Sequence, residues 1–114
     1  MDIATTRAYY ARVAPFYDAE LAERNDLPCW LALLGTWKPR RSIEYGCGTG
    51  RVAVPLALQC AQWGGAVAGL DLSPAMLRLA RRHWRRDRGG ALATALLLYL
   101  ADMRRVSLDT GTKR

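Results

Sequence analysis

Glycine occupies alternate positions in residues 45–51, which read YGCGTGR. Strand-favouring residues precede Gly46, and a helical pattern follows Gly50. Glycine permits a tight turn and lets a ligand approach the backbone closely at Gly46, Gly48 and Gly50. The first turn of a helix also offers backbone N–H groups without partners in the helix. The segment therefore predicts a loop between a strand and a helix that holds a ligand against its backbone.

Glu44 lies two residues before the first of these glycines. A carboxylate in this position would repel the pyrophosphate of a dinucleotide, whereas it would attract a ligand that carries ammonium and sulfonium groups, as S-adenosylmethionine does. The alternative is that Glu44 is only a solvated residue at a strand end.

The glycine spacing also separates two kinds of nucleotide ligand. Dinucleotide-binding loops follow the pattern GxGxxG or GxGxxA, in which the third small residue lets the helix pack against the strand. Counted from Gly46 and Gly48, that third position is Arg51, whose bulk and charge fit the role poorly. A nicotinamide-dependent oxidoreductase remains an alternative, but the spacing disfavours it.

Two further carboxylates follow the next predicted strands. Ligands of parallel α/β sheets bind outside the carboxyl ends of the strands, where Asp71 could accept both hydroxyls of a ribose and Asp102 could accept an exocyclic amino group. Leu72 and Met76 could contact an adenine, or they could belong to the core. Taken singly, Asp71 could instead help Ser73 to cap a helix, and Asp102 could be an ordinary loop residue.

Alternating strands and helices would position these residues. The predicted elements are one or two helices over 8–34 with a break near 25–28, a strand at 41–45, a helix over 51–63, a strand at 66–70, a helix from 74 to about 88 and a buried third strand late in 92–100. Such β/α/β units form a parallel sheet, and right-handed crossovers place the helices on its faces. The expected fold class is a Rossmann-like α/β fold.

The chain of 114 residues carries a net charge of +7. Five arginines at helical spacing would share one face of the last helix, namely Arg78, Arg81, Arg82, Arg85 and Arg86. Such a face binds an anionic partner such as nucleic acid, or it is merely solvated. No aromatic or glycine motif for nucleic acid accompanies the arginines, so we favour a solvated face and expect no nucleic-acid partner.

The remaining composition indicates an ordinary cytoplasmic protein. Cys29, Cys47 and Cys60 are odd in number and lack CxxC spacing, which favours reduced thiols and predicts neither a disulfide framework nor a metal site. The longest apolar stretch, 91–101, is too short to span a membrane, and the N-terminus lacks the pattern of a signal peptide.

Taken together, these segments resemble the class I S-adenosylmethionine-dependent methyltransferases, especially those that act on small molecules. The stretch 44–51 (EYGCGTGR) resembles the glycine-rich first motif of the family, 69–77 (GLDLSPAML) its ribose motif, and 101–104 (ADMR) its adenine motif. Residues 9–10 and 14–18 resemble the helical lid of many members, so we expect a lid over residues 1–38 and a cofactor-binding domain over 39–114.

The resemblance implies roles for individual residues. The backbone of the loop at Gly46, Cys47, Gly48 and Gly50 would hold the methionine part of S-adenosylmethionine, and Glu44 would hold the amino group of that part. Asp71 would bind the ribose, Leu72 and Met76 would contact the faces of the adenine, and Asp102 and the Met103 N–H would bind the edge of the adenine. Tyr17 would close over the methionine end. No residue is assigned to catalysis. We expect His83, the sole histidine, to lie at the surface.

The resemblance also implies a larger fold than this chain contains. Family members have seven strands in the order 3-2-1-4-5-7-6, whereas the predicted strands here correspond to the first three. We therefore expect an incomplete fold whose first strand is an exposed edge, open to self-association or to a partner chain. The expected function is methyl transfer to a small-molecule acceptor, and the alternative is a non-catalytic fragment that binds the cofactor.

Overall fold

The computed structural model describes residues 2–20 and 26–102, with the side chains of 16–20 outside the description. Its elements are α1 (Ile3–Glu20), α2 (Leu27–Trp37), β1 (Arg41–Tyr45), α3 (Ala53–Ala61), β2 (Ala66–Asp71), α4 (Pro74–Asp87), a short 3₁₀ turn (Ala93–Ala95) and β3 (Leu96–Leu100). Each predicted helix and strand is therefore present, although α1 begins five residues earlier than predicted.

The strands form a parallel sheet in the order β1-β2-β3. Helices α3 and α4 contact each other, and both contact β2 and β3, so the two helices lie on one face of the sheet. Both crossovers move along the sheet in the same direction, and right-handed connections then place their helices on the same side. This arrangement confirms the Rossmann-like α/β class and corresponds to the 3-2-1 portion of the expected strand order.

The two faces of the sheet differ in burial. Val67 and Leu96 point into the core with α3 and α4. The opposite side, which we call the open face, presents Ile43, Tyr45 and Tyr99 with 45%, 48% and 50% of their surface exposed. The expectation of a buried third strand is therefore wrong. Apolar composition predicted burial on both sides, but within the described residues only one side of β3 is packed.

Small side chains let α3 lie close to the sheet. The buried residues of this helix are Ala53, Val54, Leu56, Ala57 and Cys60. Pro55 lies in the first turn, where its missing N–H breaks no helical hydrogen bond. Helix α4 packs beside α3 and is held by Trp84, whose indole N–H donates to the Ala93 carbonyl at 3.0 Å.

Helix α4 begins as predicted. Ser73 is the N-cap residue, and its side chain accepts the Met76 N–H at 3.2 Å. Pro74 follows in the first turn. A serine cap of this kind typically contributes about 1 kcal/mol, and here it also sets where the helix starts relative to the end of β2.

The N-terminal helices pack on the two core helices. Helix α1 contacts α4, and α2 contacts α3 through half-buried Leu27, Leu31 and Leu34. The Gln59 side chain donates to the Leu31 carbonyl at 2.8 Å. Helix α2 ends at Lys38, whose left-handed backbone (φ 50°) is uncommon for a residue with a side chain. The division into a lid and a cofactor-binding domain stays a prediction.

Other expectations concern cysteines, metals and membranes. Cys47 and Cys60 are buried, Cys29 is exposed, and all three are free thiols. Across residues 2–20 and 26–102, no cluster of His, Cys, Asp and Glu side chains could hold a metal ion. No helix in the described part of the chain has the length and apolar character needed to cross a membrane.

We predict that Gly50→Ala strongly destabilises the fold. Gly50 has φ +85°, and an added Cβ would lie 2.9 Å from Val54 Cγ2 and 3.3 Å from the Ala80 Cβ. A left-handed backbone costs an alanine about 1–2 kcal/mol, and overpacking typically adds about 1–3 kcal/mol. Urea unfolding should therefore show a loss of roughly 2–5 kcal/mol.

Two matched substitutions separate the backbone cost from the packing cost. Gly89 also has a positive φ (+53°) but nothing within 4 Å of an added Cβ, so Gly89→Ala should lose only about 1–2 kcal/mol. Gly90 has open space and no positive φ, so Gly90→Ala should stay within about 0.5 kcal/mol of the parent. Equal losses at Gly50 and Gly89 would show that the contact with α4 is unimportant.

Candidate functional site

The ends of the three strands meet at Asp71. Its Oδ2 accepts the Gly48 N–H at 2.8 Å, which brings the end of β2 against the glycine loop after β1. The backbone carbonyl of Asp71 accepts the Ala101 N–H at 2.9 Å, which continues the pairing with β3. Residues that the sequence placed at separate strand ends therefore lie at one edge of the sheet.

The path of the glycine loop requires its glycines. Gly46, Gly48 and Gly50 have φ of 69°, 57° and 85°, a region that residues with side chains rarely occupy. Between them, the Cys47 N–H donates to the Leu70 carbonyl at 3.0 Å and extends the ladder between β1 and β2. The Val54 N–H then donates to the Gly50 carbonyl at 2.9 Å and opens α3.

The third glycine also allows close packing of a helix. Gly50 is buried, and its Cα faces Ala80 of α4. A side chain there would collide with the neighbouring helix, so the absence of a Cβ lets α4 approach the loop. The contact explains how a GxGxG spacing achieves the close packing that the third glycine provides in dinucleotide-binding loops.

Asp71 is a pre-oriented acceptor. While Oδ2 accepts the Gly48 N–H, Oδ1 accepts the Ser73 N–H at 2.9 Å. Each carboxylate oxygen carries two lone pairs, so both oxygens retain acceptor capacity after these bonds. The side chain is half-buried. Asp71 can thus hold a pair of hydroxyl groups without reorienting. The same carboxylate also supports the start of α4 through Ser73, so the two roles considered for Asp71 are compatible.

Glu44 carries a buried carboxylate oxygen, Oε1, that has no hydrogen-bond partner within residues 2–20 and 26–102. Burial raises the pKa of Glu44 to about 7, and the nearby charges of Asp26 and Asp71 act in the same direction. The positive charge of Arg51 and the Ala53 N–H oppose the rise. The alternative of a solvated strand-end residue is therefore wrong, because Glu44 lies on the covered face of the sheet.

Arg51 connects the glycine loop to α2. Its Nη1 lies 2.8 Å from Asp26 Oδ1, and its Nη2 lies 3.4 Å from Asp26 Oδ2. The hydrogen bond from Arg51 lowers the pKa of Asp26 to about 2. In the sequence analysis, Arg51 served only as an argument against a dinucleotide ligand. Its ion pair with Asp26 was not predicted, because no local pattern links two residues that lie 25 positions apart.

Two more residues that the sequence did not assign to the site hold its loops. The Arg7 Nε of α1 donates to the Leu72 carbonyl at 2.9 Å. On α4, His83 Nδ1 lies 2.9 Å from the carbonyl of Thr49, which is fully buried. A carbonyl only accepts, so Nδ1 carries the proton. The expectation that His83 is a surface residue is wrong, since it is half-buried on the side of α4 that faces the loop.

The remaining predicted residues occupy varied positions. Met76 is 1% exposed, which favours its core alternative over a contact with adenine. Leu72 and Asp102 are half-buried at the ends of β2 and β3. The side chain of Tyr17 and the whole of Met103 lie outside the described residues.

Cys47 contributes its backbone to the loop and its side chain to the core. The thiol packs where a Cβ on Gly69 would lie 2.9 Å from Sγ. Burial, together with the charges of Asp71 and Glu44, raises the pKa of Cys47 to about 12. The thiol therefore stays protonated and unreactive at neutral pH.

The side chains at this edge of the sheet offer hydrogen-bond acceptors and negative charge, which suit a cationic ligand. Glu44 supplies an unpaired buried oxygen, and Asp71 supplies oriented acceptors for hydroxyls. A ligand that joins an ammonium group to a ribose fits this donor set, whereas a pyrophosphate would face two carboxylates.

Comparisons with known proteins agree with this reading. A family model described as "Methyltransferase domain" matches residues 43–112, which is more than half of the chain. No curated protein matches the chain.

Solved structures show the fold. The crystal structure of magnesium protoporphyrin IX methyltransferase (ChlM) from Synechocystis PCC 6803, which contains bound SAH, matches with a TM-score of 0.71 and 16% identity. The match covers 94% of this chain and 54% of that one, so this chain spans about half the length of ChlM. A structure from work on the conversion of a disulfide bond into a thioacetal group during echinomycin biosynthesis matches at 32% identity over 63% of this chain and 27% of that chain, with a TM-score of 0.44.

The family match contains the end of β1, the whole glycine loop and Asp71. Its match to the sequence and the Rossmann-like sheet point to the same class that the three motifs resemble. The chain belongs to the methyltransferase domain family, among the class I S-adenosylmethionine-dependent methyltransferases.

Proposed function

We propose that this chain binds S-adenosylmethionine at the ends of β1 and β2 and forms the cofactor-binding part of an enzyme that methylates a small molecule. The observation that carries the proposal is the unpaired, buried Oε1 of Glu44 beside the glycine loop. A buried acceptor without a donor is costly, and the ammonium group of the methionine part would supply the missing donors and the compensating charge.

Asp71 would bind the ribose. Its carboxylate is held in place by the N–H groups of Gly48 and Ser73, so no side-chain freedom is lost when the hydroxyls arrive. The hydrogen bond from the Gly48 N–H to Asp71 would connect the ribose site to the glycine loop, which would lie against the methionine part. Asp102, Leu72, Met103 and Tyr17 stay predictions for the adenine and methionine ends, whereas the burial of Met76 favours its core alternative.

The residues of this chain bind and orient, and none is assigned to proton transfer or to nucleophilic attack. When bound, S-adenosylmethionine would supply an electrophilic methyl group, whose transfer to the acceptor would leave S-adenosylhomocysteine and release the acceptor proton to water. Alignment of the two reactants is the contribution that a protein of this kind makes. Glu44 and Asp71 would fix the two ends of the cofactor, and thereby the direction of its methyl group.

The methyl acceptor is a small molecule in this proposal, and the cytoplasmic location stays a prediction. Titration calorimetry with S-adenosylmethionine and with S-adenosylhomocysteine tests the binding step. Turnover with candidate acceptors then separates an enzyme from a module that only binds the cofactor. Stronger binding of NAD than of S-adenosylmethionine would overturn the proposal.

We predict that Asp71→Asn weakens the binding of S-adenosylhomocysteine by roughly 10- to 100-fold, because hydrogen bonds to a charged group contribute about 1.5–3 kcal/mol. Calorimetry with this unreactive product measures the loss. The control is Asp87→Asn, which removes the same charge from an exposed carboxylate at the end of α4. Unchanged affinity in a folded Asp71→Asn variant would rule out the ribose role.

We predict that affinity for S-adenosylmethionine rises between pH 6 and pH 7.5. Burial raises the pKa of Glu44 to about 7, so the free protein holds a proton there at pH 6. A cationic ligand prefers the ionised carboxylate and must displace that proton. Affinity should therefore increase roughly five- to tenfold over this range, and calorimetry in buffers of different ionisation enthalpy should detect proton release at pH 6.

Glu44→Gln is the control, and it should bind more weakly without this pH dependence. Because an α-amino group titrates with a pKa of about 7.7–8.0, the range stops below the ionisation of the cofactor itself. An equal pH dependence in both proteins would show that Glu44 does not face the cation.

The raised pKa of Glu44 also affects stability without any ligand. A carboxyl whose folded pKa exceeds its unfolded value stabilises the fold at low pH, and that contribution is lost as pH rises through about 7. We predict that the free energy of unfolding in urea falls between pH 5 and pH 8 by more in the parent than in Glu44→Gln. A steeper fall in the variant would contradict the burial of an unpaired carboxylate.

A further inference from the structure

A groove of about 290 Å³ lies between the second half of α4 and β3. Its lining includes Arg81, Trp84, Arg85, Arg88, Leu97 and Leu98. The groove meets β3 at Leu97 and Leu98, before the carboxyl end of the strand, whereas the candidate cofactor site lies at the carboxyl ends of the strands. The groove is therefore separate from the site described above.

The walls of the groove carry positive charge that the fold does not neutralise. Arg81 and Arg85 are exposed, and neither has a hydrogen-bond or ion-pair partner within residues 2–20 and 26–102. Arg88 is half-buried and donates to the Ala91 carbonyl at 2.7 Å, which holds its guanidinium in place. The chain as a whole has a net charge of +7. An occupant of this groove would be acidic.

The floor of the groove is apolar. Leu97 is 38% exposed, Leu98 is partly buried, and Trp84 is fixed by its hydrogen bond to the Ala93 carbonyl. A simple anion or a phosphate backbone would gain nothing from these leucines. Single-stranded nucleic acid binds on exposed aromatic platforms, whereas the one aromatic residue here is buried. Apolar side chains combined with carboxylates fit the groove better.

The backbone of β3 supplies a third feature. This strand is last in the order β1-β2-β3, and no strand in the described part of the chain pairs with its outer edge. Alternate N–H and C=O groups of an edge strand are free to pair with an added strand. Side chains of such a strand would alternate between the arginines of α4 and the side of β3 that carries Leu97.

We propose that the groove binds an extended, acidic segment of another protein, which adds a strand to the edge of β3 and aligns its carboxylates with Arg81 and Arg85. A second copy of this chain is a poor occupant, because two molecules of charge +7 repel each other. Two of the α4 arginines, which the sequence analysis assigned to a solvated face, thereby become part of a docking face, and this docking is independent of cofactor binding.

The test uses a short fluorescein-labelled peptide of alternating glutamate and valine residues, with binding to the full chain followed by fluorescence anisotropy. The double substitution Arg81→Glu with Arg85→Glu should weaken binding by roughly tenfold or more, because like charges would then face each other. The matched control is Arg78→Glu with Arg82→Glu, which makes the same change of charge on exposed residues of α4 outside the groove lining. The control should bind nearly as well as the parent.

Both double variants alter exposed residues and leave the buried Met76, Leu77, Ala80 and Trp84 of α4 in place, so both should fold. Circular dichroism and thermal unfolding check this directly. Equal losses in the two double variants would overturn the proposal, since they would show attraction to the overall charge of the helix rather than docking in the groove.

Strand addition has its own readout. N-methylation of one alternating set of peptide residues should abolish binding, while N-methylation of the other set should be tolerated, because only one set of amides faces β3. If both sets are tolerated, the peptide does not pair with the strand. Competition by a DNA duplex as strong as that of the unlabelled peptide, or a dimer that the groove substitutions dissociate, would assign the groove to a different occupant and overturn the proposal.

Discussion

The carboxylate of Asp71 is the contact on which the arrangement of the site depends. It accepts the N–H of Gly48 from the glycine loop and the N–H of Ser73 from the start of α4, at 2.8 and 2.9 Å. One side chain thus determines the relative positions of two loops and a helix, and Ser73 in turn caps that helix. Because both hydrogen bonds leave acceptor capacity on the oxygens, the group that organises the loops is also available to a ligand.

Whereas the hydrogen bonds of Asp71 stabilise the loops, the unpaired oxygen of Glu44 destabilises the fold. Its Oε1 is buried and has no partner in the described part of the chain, and burial raises the pKa of Glu44 to about 7. An unpaired buried polar group destabilises a fold, and such groups concentrate where a ligand supplies the missing partner. Arg51 is close enough to offset part of this cost, although its guanidinium is directed to Asp26. The ammonium group of the proposed cofactor would supply the missing partner and the compensating charge.

Supporting contacts come from elements far apart in the chain. Arg7 of α1 holds the Leu72 carbonyl, and His83 of α4 holds the Thr49 carbonyl. Neither contact could be predicted from a short sequence motif, since each joins a side chain to a backbone carbonyl that any residue could provide. The predicted surface position of His83 failed for this reason: helical spacing placed it among exposed arginines, while the close approach of α4 at Gly50 brought its ring to the loop.

The sequence by itself determined the local features: the glycine loop with its positive φ values, the Ser73 cap, the order of strands and helices, and Asp71 at the end of a strand. Each depends on the conformational limits of a few adjacent residues or on a short hydrophobic period. Only the tertiary structure decided that Glu44 Oε1 is buried, that Met76 faces the core and that β3 has an open side. Burial depends on which elements pack over a residue, and those neighbours are distant in sequence.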